Sequence, residues 1–406
     1  MKIKKLLNPA IIYSFLILAQ FIIWLVFFEL WKSDVPGIHE IPKYITFRAA
    51  IKYILQIAAL LAWFYLGKYL SSSKTSINSY NNKNYSINIR YITSILSNIN
   101  IIILIIIHCY IIILIINNNL ISRISSSGLQ VLSYSTTHNK ENYWRIFLNL
   151  LIIESLIESD LYFHLHRKIA KYKLLLIIIF SIFDGYFLAE RMLLMVVIIA
   201  SITLYLKHEA KFNYNIKASK IIAYFLILLF FIIISEIFRF GVINAIEKKI
   251  NLFSLNNIID VIKYLMVAYI AKNFNNAMII FDSRPTYNFF GTGSQLIMTI
   301  LSYFKKPNEF TPIINSGPYG TVDMAALIWL DFGVISVLIM SILGFMIGFI
   351  YKKYVKIDNV LYNFAFSLVI AGIISSIRIN FFLSNYFILP FIYIIVIKLL
   401  YIIIYK

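Results

Sequence analysis

Charge is scarce in this chain: Asp, Glu, Lys and Arg together make up 14% of 406 residues. A soluble domain needs a polar shell that so few charges cannot supply, which excludes an ordinary soluble globular fold. Cysteine is almost missing. The single Cys109 lies inside an apolar run, so there is neither a disulfide framework nor a thiolate zinc cluster. No P-loop, dinucleotide fingerprint or metalloprotease helix occurs. Gly291-Thr-Gly293-Ser294 is only a weak glycine signal, because no buried strand precedes it. His164 and His166 are two apart and so off a common helix face; beside Arg167 and Lys168 they read as membrane-surface charge rather than metal ligands. His108, deep in an apolar run, reads as a hydrogen-bonded interior residue. Neither a metal nor a cofactor is expected.

What the chain has in abundance is oil. Hydrophobic residues make up 61% of it and the mean hydropathy is +0.82. A bilayer core about 30 Å thick needs roughly 20 apolar residues per helix. Runs of suitable length predict spans over 11–31, 49–67, 92–116, 144–163, 173–188, 191–206, 221–238, 332–351, 360–377 and 386–404. The expected fold is therefore an all-α, polytopic membrane helix bundle of about ten transmembrane helices. The net charge of +19 sits between the apolar runs rather than on one face, so no nucleic acid is implied. Lys and Arg gather instead in alternate connections, such as Lys2 to Lys5, Lys68 to Arg90, Arg167 to Lys173, Lys207 to Lys220 and Lys352 to Lys356. By the positive-inside rule this puts both termini in the cytoplasm, with the first span retained as an anchor.

Three regions follow. Residues 1–238 form an N-terminal membrane bundle of seven spans, 239–331 a large extracytoplasmic loop that is partly helical, and 332–406 a C-terminal bundle of three spans. The Asn-rich stretch 78–88 reads as a mobile cytoplasmic loop, and 117–143 as an outer loop without a chemical signature. Within the large loop, Ile258, Ile262, Leu265, Met266, Tyr269 and Ile270 recur at helical spacing. Asp260, Lys263 and Lys272 occupy the other face, which predicts an amphipathic helix on or in the membrane interface. Ser294 can cap a short helix over 295–304, and Thr321 a helix that leads into the span at 332.

Two sets of charged residues fall at membrane depth or its edge. Glu154 and Glu158 share a helix face, with Asp160 just beyond; they form a proton or cation path, a buried polar network or a shallow helix end. Arg191, Arg239 and Arg378 stand at the outer ends of three spans, with Arg284 in the loop between them. Arginine's planar fork suits phosphate oxygens, so a ring of arginines can receive a lipid diphosphate; the alternative is that each simply snorkels to lipid phosphates.

The second half of the chain carries a resemblance. Tyr269-Ile-Ala-Lys-Asn-Phe-Asn-Asn276, Phe290-Gly-Thr-Gly293, Gly317-Pro-Tyr-Gly-Thr321, Leu330-Asp-Phe-Gly-Val-Ile335 and Gly344 resemble the Wzy-type O-antigen and capsular oligosaccharide repeat-unit polymerases. Glu190-Arg191 is similar to that family's small-residue-plus-Arg motif, with Ala189-Glu190 where a Gly-Ser pair often stands. The resemblance implies a GT-C-like architecture in the bacterial cytoplasmic membrane. It also implies a metal-independent glycosyltransferase that moves a glycan from undecaprenyl diphosphate to a sugar hydroxyl of a new lipid-linked repeat unit. On that reading Arg191 and Arg239 hold the diphosphate, with Arg378 and Arg284 next, and Glu190, Glu236 and Tyr319 line the substrate. Asp323, Asp331, Glu236 and Glu190 all stand at a depth suited to the base, and Asp323 joins the catalytic candidates. Membrane lipids, a chain-length regulator and a flippase are the implied partners. The alternatives are a lipid-linked glycan flippase or transporter, an O-antigen ligase, and a non-catalytic assembly protein.

Overall fold

The computed structural model describes residues 7–31, 43–71, 79–117, 142–187, 191–212, 259, 262–263, 265–282, 322–357, 359–377, 379 and 381–405. Among these residues every regular element is a helix: α1 (Pro9–Trp31), α2 (Phe47–Leu70), α3 (Ser79–Asn117), α4 (Leu150–Leu165), α5 (Lys168–Phe187), α6 (Arg191–Phe212), α7 (Lys272–Asp282), α8 (Met324–Phe332), α9 (Ser336–Lys356), α10 (Val360–Ser375) and α11 (Asn385–Tyr405). Six helical stretches are long and apolar enough to cross a bilayer: Pro9–Trp31, Phe47–Leu70, Tyr85–Ile116, Met192–Glu209, Met324–Lys356 and Asn385–Tyr405. The chain is thus a helical, multi-pass membrane protein. Of the segments read as spans, 221–238 falls outside the described residues, and 144–163, 173–188 and 360–377 are not among these six.

Helix starts follow local chemistry. Pro9 takes the first turn of α1, where its missing N–H costs nothing, and the Asn8 side chain accepts from Ala10 N at 3.1 Å. Thr46 caps α2 through Ala49 N (3.1 Å), and Asn359 caps α10 through Leu361 N (2.9 Å). The helix leading into the span at 332 is capped by Asp323, whose Oδ1 accepts from Ala326 N at 2.8 Å, and not by Thr321, which lies outside the described residues. Gly333, with φ 54° and ψ −130°, then breaks α8 from α9, a conformation that glycine reaches without Cβ strain.

The stretch expected to be a mobile loop before the third span is helical: α3 begins at Ser79 and runs for 39 residues. At 1.5 Å per residue that is about 58 Å, well beyond the hydrocarbon thickness, so one end of α3 projects from the membrane. Extending an existing helix is far cheaper than nucleating one, so an Asn-rich sequence joined to a long apolar helix continues it.

The tightest packing joins α2 to α9. A β-carbon on Gly344 would collide with the Leu60 carbonyl, one on Gly348 with the Phe64 carbonyl, and one on Gly67 with the Phe345 carbonyl. Small residues let the backbones approach where lipid supplies no hydrophobic drive. The pairs Gln56–Ser336, Leu60–Gly344 and Phe64–Gly348 advance together, so the two helices run parallel. Both end among cations. Lys68 lies 5.7 Å from the Tyr351 ring centroid, Lys207 donates to the Tyr354 carbonyl, and Arg167 donates to Ser94 at 2.8 Å. This is the basic end of the bundle.

Candidate functional site

The polar segment of the sequence enters the bundle through α7. Lys272, Asn273, Asn275 and Asn276 are all buried, with Lys272 at 0% exposure. The expectation of a surface helix with Lys272 on its solvent face is thus overturned. The cause lies in other helices, which supply partners for the polar side. Asn275 Oδ1 accepts from Trp24 Nε1 (3.1 Å) and from Tyr44 N (2.7 Å). Asn273 Nδ2 donates to the Ile377 carbonyl at 3.3 Å, and Gln20 Nε2 reaches the same carbonyl and that of Ile270, both at 3.4 Å. Aromatic rings fill the space between. Phe274 lies 5.6 Å from Phe21, 5.1 Å from Trp24 and 5.6 Å from Tyr53, and Phe281 lies 5.5 Å from Trp329. A π-helical turn, Leu265–Ala271, feeds directly into α7. Burial pushes the Lys272 ammonium down from its ordinary pKa.

Asp323 sits beside this helix. Its neighbour Met324 donates to the Ser376 carbonyl at 2.8 Å, so Ser376 and Ile377 tie the start of α8 to the start of α7. The Asp323 carboxylate is buried and faces the Tyr53 hydroxyl, without closing a hydrogen bond of normal geometry. Burial raises its pKa to about 6, opposed by the N–H groups of its own cap. Asp331 is also fully buried on α8.

At the far end of α7, Asp282 accepts from the Tyr44 hydroxyl and from Thr46 Oγ1 (3.0 Å). The Tyr44 hydrogen bond, then that of Thr46, holds the Asp282 carboxyl below its ordinary pKa, helped by Arg48 and Lys52. Lys52 donates to the Phe281 carbonyl and lies 4.8 Å from the Trp329 ring centroid.

The arrangement brings a buried ammonium, a buried carboxylate and several carboxamides to the side of the bundle opposite the basic end. Of the residues singled out in the sequence, Asp323 is here. Arg191 opens α6, but its side chain lies outside the described residues, as do Arg239, Arg284, Arg378, Glu190, Glu236 and Tyr319 altogether. Chain neighbours fix two approaches: Ile377 precedes Arg378, and Asp282 stands two residues before Arg284. Sequence reasoning missed Lys272, Asn273, Asn275, Tyr44, Tyr53 and Asp282. The available signal was the run Lys272-Asn-Phe-Asn-Asn276, too polar all round for a helix lying on a membrane.

The acids of α4 lie in a buried polar network. Asp160 pairs with Arg90 (2.7 Å) and His164 (3.1 Å), and Glu158 with Lys173 (3.2 Å) and Ser97. Glu154 accepts from Asn100 at 2.6 Å, and Asn100 also reaches the Tyr393 hydroxyl at 2.7 Å. His108 is an interior residue as expected: Nδ1 meets the Leu104 carbonyl at 2.8 Å, and Nε2 faces Asp184 at 3.2 Å. His164 and His166, apart in the sequence reading, each lie against His208, at 5.3 and 5.6 Å between ring centroids. Among the described residues, no group of His, Cys, Asp and Glu is placed to hold a metal ion.

Comparison with known protein families, with curated proteins and with solved structures finds no match for this chain.

Proposed function

We propose that this chain polymerises lipid-linked oligosaccharide repeat units of an O-antigen or capsular polysaccharide at the outer face of the bacterial cytoplasmic membrane. The observation that carries the reading is the burial of α7, a polar helix from the segment between the two bundles, with Lys272 buried on it and Asp323 buried at the start of α8, which packs against it. The reaction breaks the bond between an anomeric carbon and a lipid diphosphate and forms a glycosidic bond to an acceptor hydroxyl, whose proton goes to a base. It calls for a cation beside the leaving diphosphate and a carboxylate beside the hydroxyl. Lys272 supports the first role and Asp323 the second. Arg191, Arg239, Arg378 and Arg284 complete the diphosphate site, and Glu190, Glu236 and Tyr319 the sugar contacts. In this reading ten spans adopt a GT-C-like arrangement with both termini in the cytoplasm, and a flippase and a chain-length regulator act alongside.

Asn caps a helix as well as Asp but accepts no proton, so Asp323→Asn separates the two roles of that residue. In cells whose own gene is deleted, the wild-type chain restores a ladder of long glycans. Asp323→Asn and Lys272→Met are expected to stop at one repeat unit while inserting at normal levels. Rate in membranes should rise with pH through about 6 for the wild type, as Asp323 ionises. Normal ladders from both variants overturn the assignment. Long glycans left on the carrier after gene deletion indicate a ligase, and absence of all surface glycan a flippase.

A further inference from the structure

A groove of about 380 Å³ opens on the flank of the bundle between α9 and α11, with α10 and α3 behind it. Phe345 and Phe349 of α9, Ala365 of α10, and Phe391 and Ile395 of α11 make its walls apolar. Its outer rim faces the lipid side, where Met346 is 40% and Ile395 46% exposed.

Polar side chains lining the groove gather at one mouth. Asn359 is the cap of α10, Tyr85 meets Tyr401 of α11 edge-to-face at 4.5 Å between ring centroids, and Lys398 lies one turn before that tyrosine. Phe391 stands seven residues before Lys398, about 10 Å deeper along the helix. The mouth is at the basic end. Lys353 lies 5.5 Å from the ring centroid of Phe349, on the opposite wall from Lys398, and Lys352 is within electrostatic reach of Lys68 and Lys356. Among the described residues no carboxylate lines the groove.

We propose that the groove binds an anionic phospholipid from the leaflet at the basic end. One acyl chain lies against the aromatic and aliphatic walls, and the phosphate meets Lys398 and Lys353 at the mouth. The division of the groove into an apolar length and a cationic mouth is the division of a lipid. A partner helix would pack through small residues that let backbones approach, whereas the walls here are mostly large side chains such as Phe345, Phe349 and Phe391. Basic pockets between transmembrane helices take acidic head groups in this way. The inference does not depend on the polymerase reading.

The full-length protein, purified in mild detergent and exchanged into nanodiscs, can be offered phosphatidylglycerol or phosphatidylcholine with the same acyl chains. Bound lipid is then counted by native mass spectrometry. The wild type is expected to retain phosphatidylglycerol in preference, by about fivefold for each lysine engaged. Lys398→Gln combined with Lys353→Gln should abolish the preference while a chain is still held. Ile395→Trp, at a lipid-facing position where folding is little affected, should fill the groove and lower retention of both lipids. Equal retention of the two lipids by the wild type overturns the proposal, as does wild-type behaviour in both variants.

Discussion

Asp282 and Tyr44 show how a single contact couples a loop to the bundle. The Tyr44 hydroxyl donates to Asp282 from a position just ahead of α2, while Asp282 closes α7. Because this contact holds the Asp282 carboxyl below its ordinary value, ionised Asp282 stabilises the folded state above about pH 4, and that contribution is lost as pH falls through the lowered pKa. Tyr44→Phe is predicted to lower thermal stability at neutral pH and to flatten the acid limb of a Tm-against-pH curve. An unchanged acid limb would show that the contact carries no linkage. Asp323 behaves oppositely. Its pKa is raised to about 6 by burial, so the stability from its protonated form is present below about pH 4 and declines as pH rises through 6. Asp323→Ala removes the cap of α8 as well, at a cost of about 1 kcal/mol. Asp323→Asn retains the cap, and denaturation of the two variants side by side measures the difference.

Among the elements, the α2–α9 pair depends most on small residues. Gly344 and Gly348 face backbone carbonyls, which cannot move without moving the helix. Gly372 of α10 instead faces the far edge of the Phe382 ring, which can turn aside. Gly344→Ala and Gly348→Ala are therefore predicted to destabilise by about 1–3 kcal/mol, the usual cost of overpacking, and Gly372→Ala by less. Thermal unfolding in detergent ranks the three, and a reversed order would mean that α2 and α9 separate easily. The burial of α7 is also an element-scale result. Lys272-Asn-Phe-Asn-Asn276 is polar all round, yet Trp24 and Tyr44 satisfy Asn275, and the Ile377 carbonyl satisfies Asn273, from within. Helix positions were legible from apolar run length. The depth of α7 was not, because its partners lie more than a hundred residues away for Ile377 and about 250 away for Trp24.

For the whole molecule, helix direction provides the test. α2 and α9 run parallel and finish at the basic end, where Lys68, Lys207 and Arg167 gather. Lys43 and Lys356 therefore lie at opposite ends of the bundle. With Cys109 replaced by Ser, single cysteines at these two positions are predicted to react with an impermeant maleimide from opposite faces of the membrane, Lys356→Cys from the cytoplasm. Labelling of both from one face would refute the topology. The polar network along α3, α4 and α5 belongs to this scale as well. Glu158 is matched by Lys173 and Asp160 by Arg90 and His164, as buried charges require, while Glu154 is held by the Asn100 carboxamide.

The amino-acid sequence alone determined that this chain lives in a bilayer and where most of its helices run. Those properties depend on a local quantity, apolar run length against bilayer thickness. Only the tertiary structure decided that Lys272 and its asparagines are interior, that Asp323 rather than Thr321 caps α8, that Glu158 and Asp160 are charge-matched, and that a cationic mouth opens beside α11. Each of these depends on which distant helices meet, and in a membrane that is set by close backbone approach and polar pairing, which apolar helices of similar composition do not reveal one at a time.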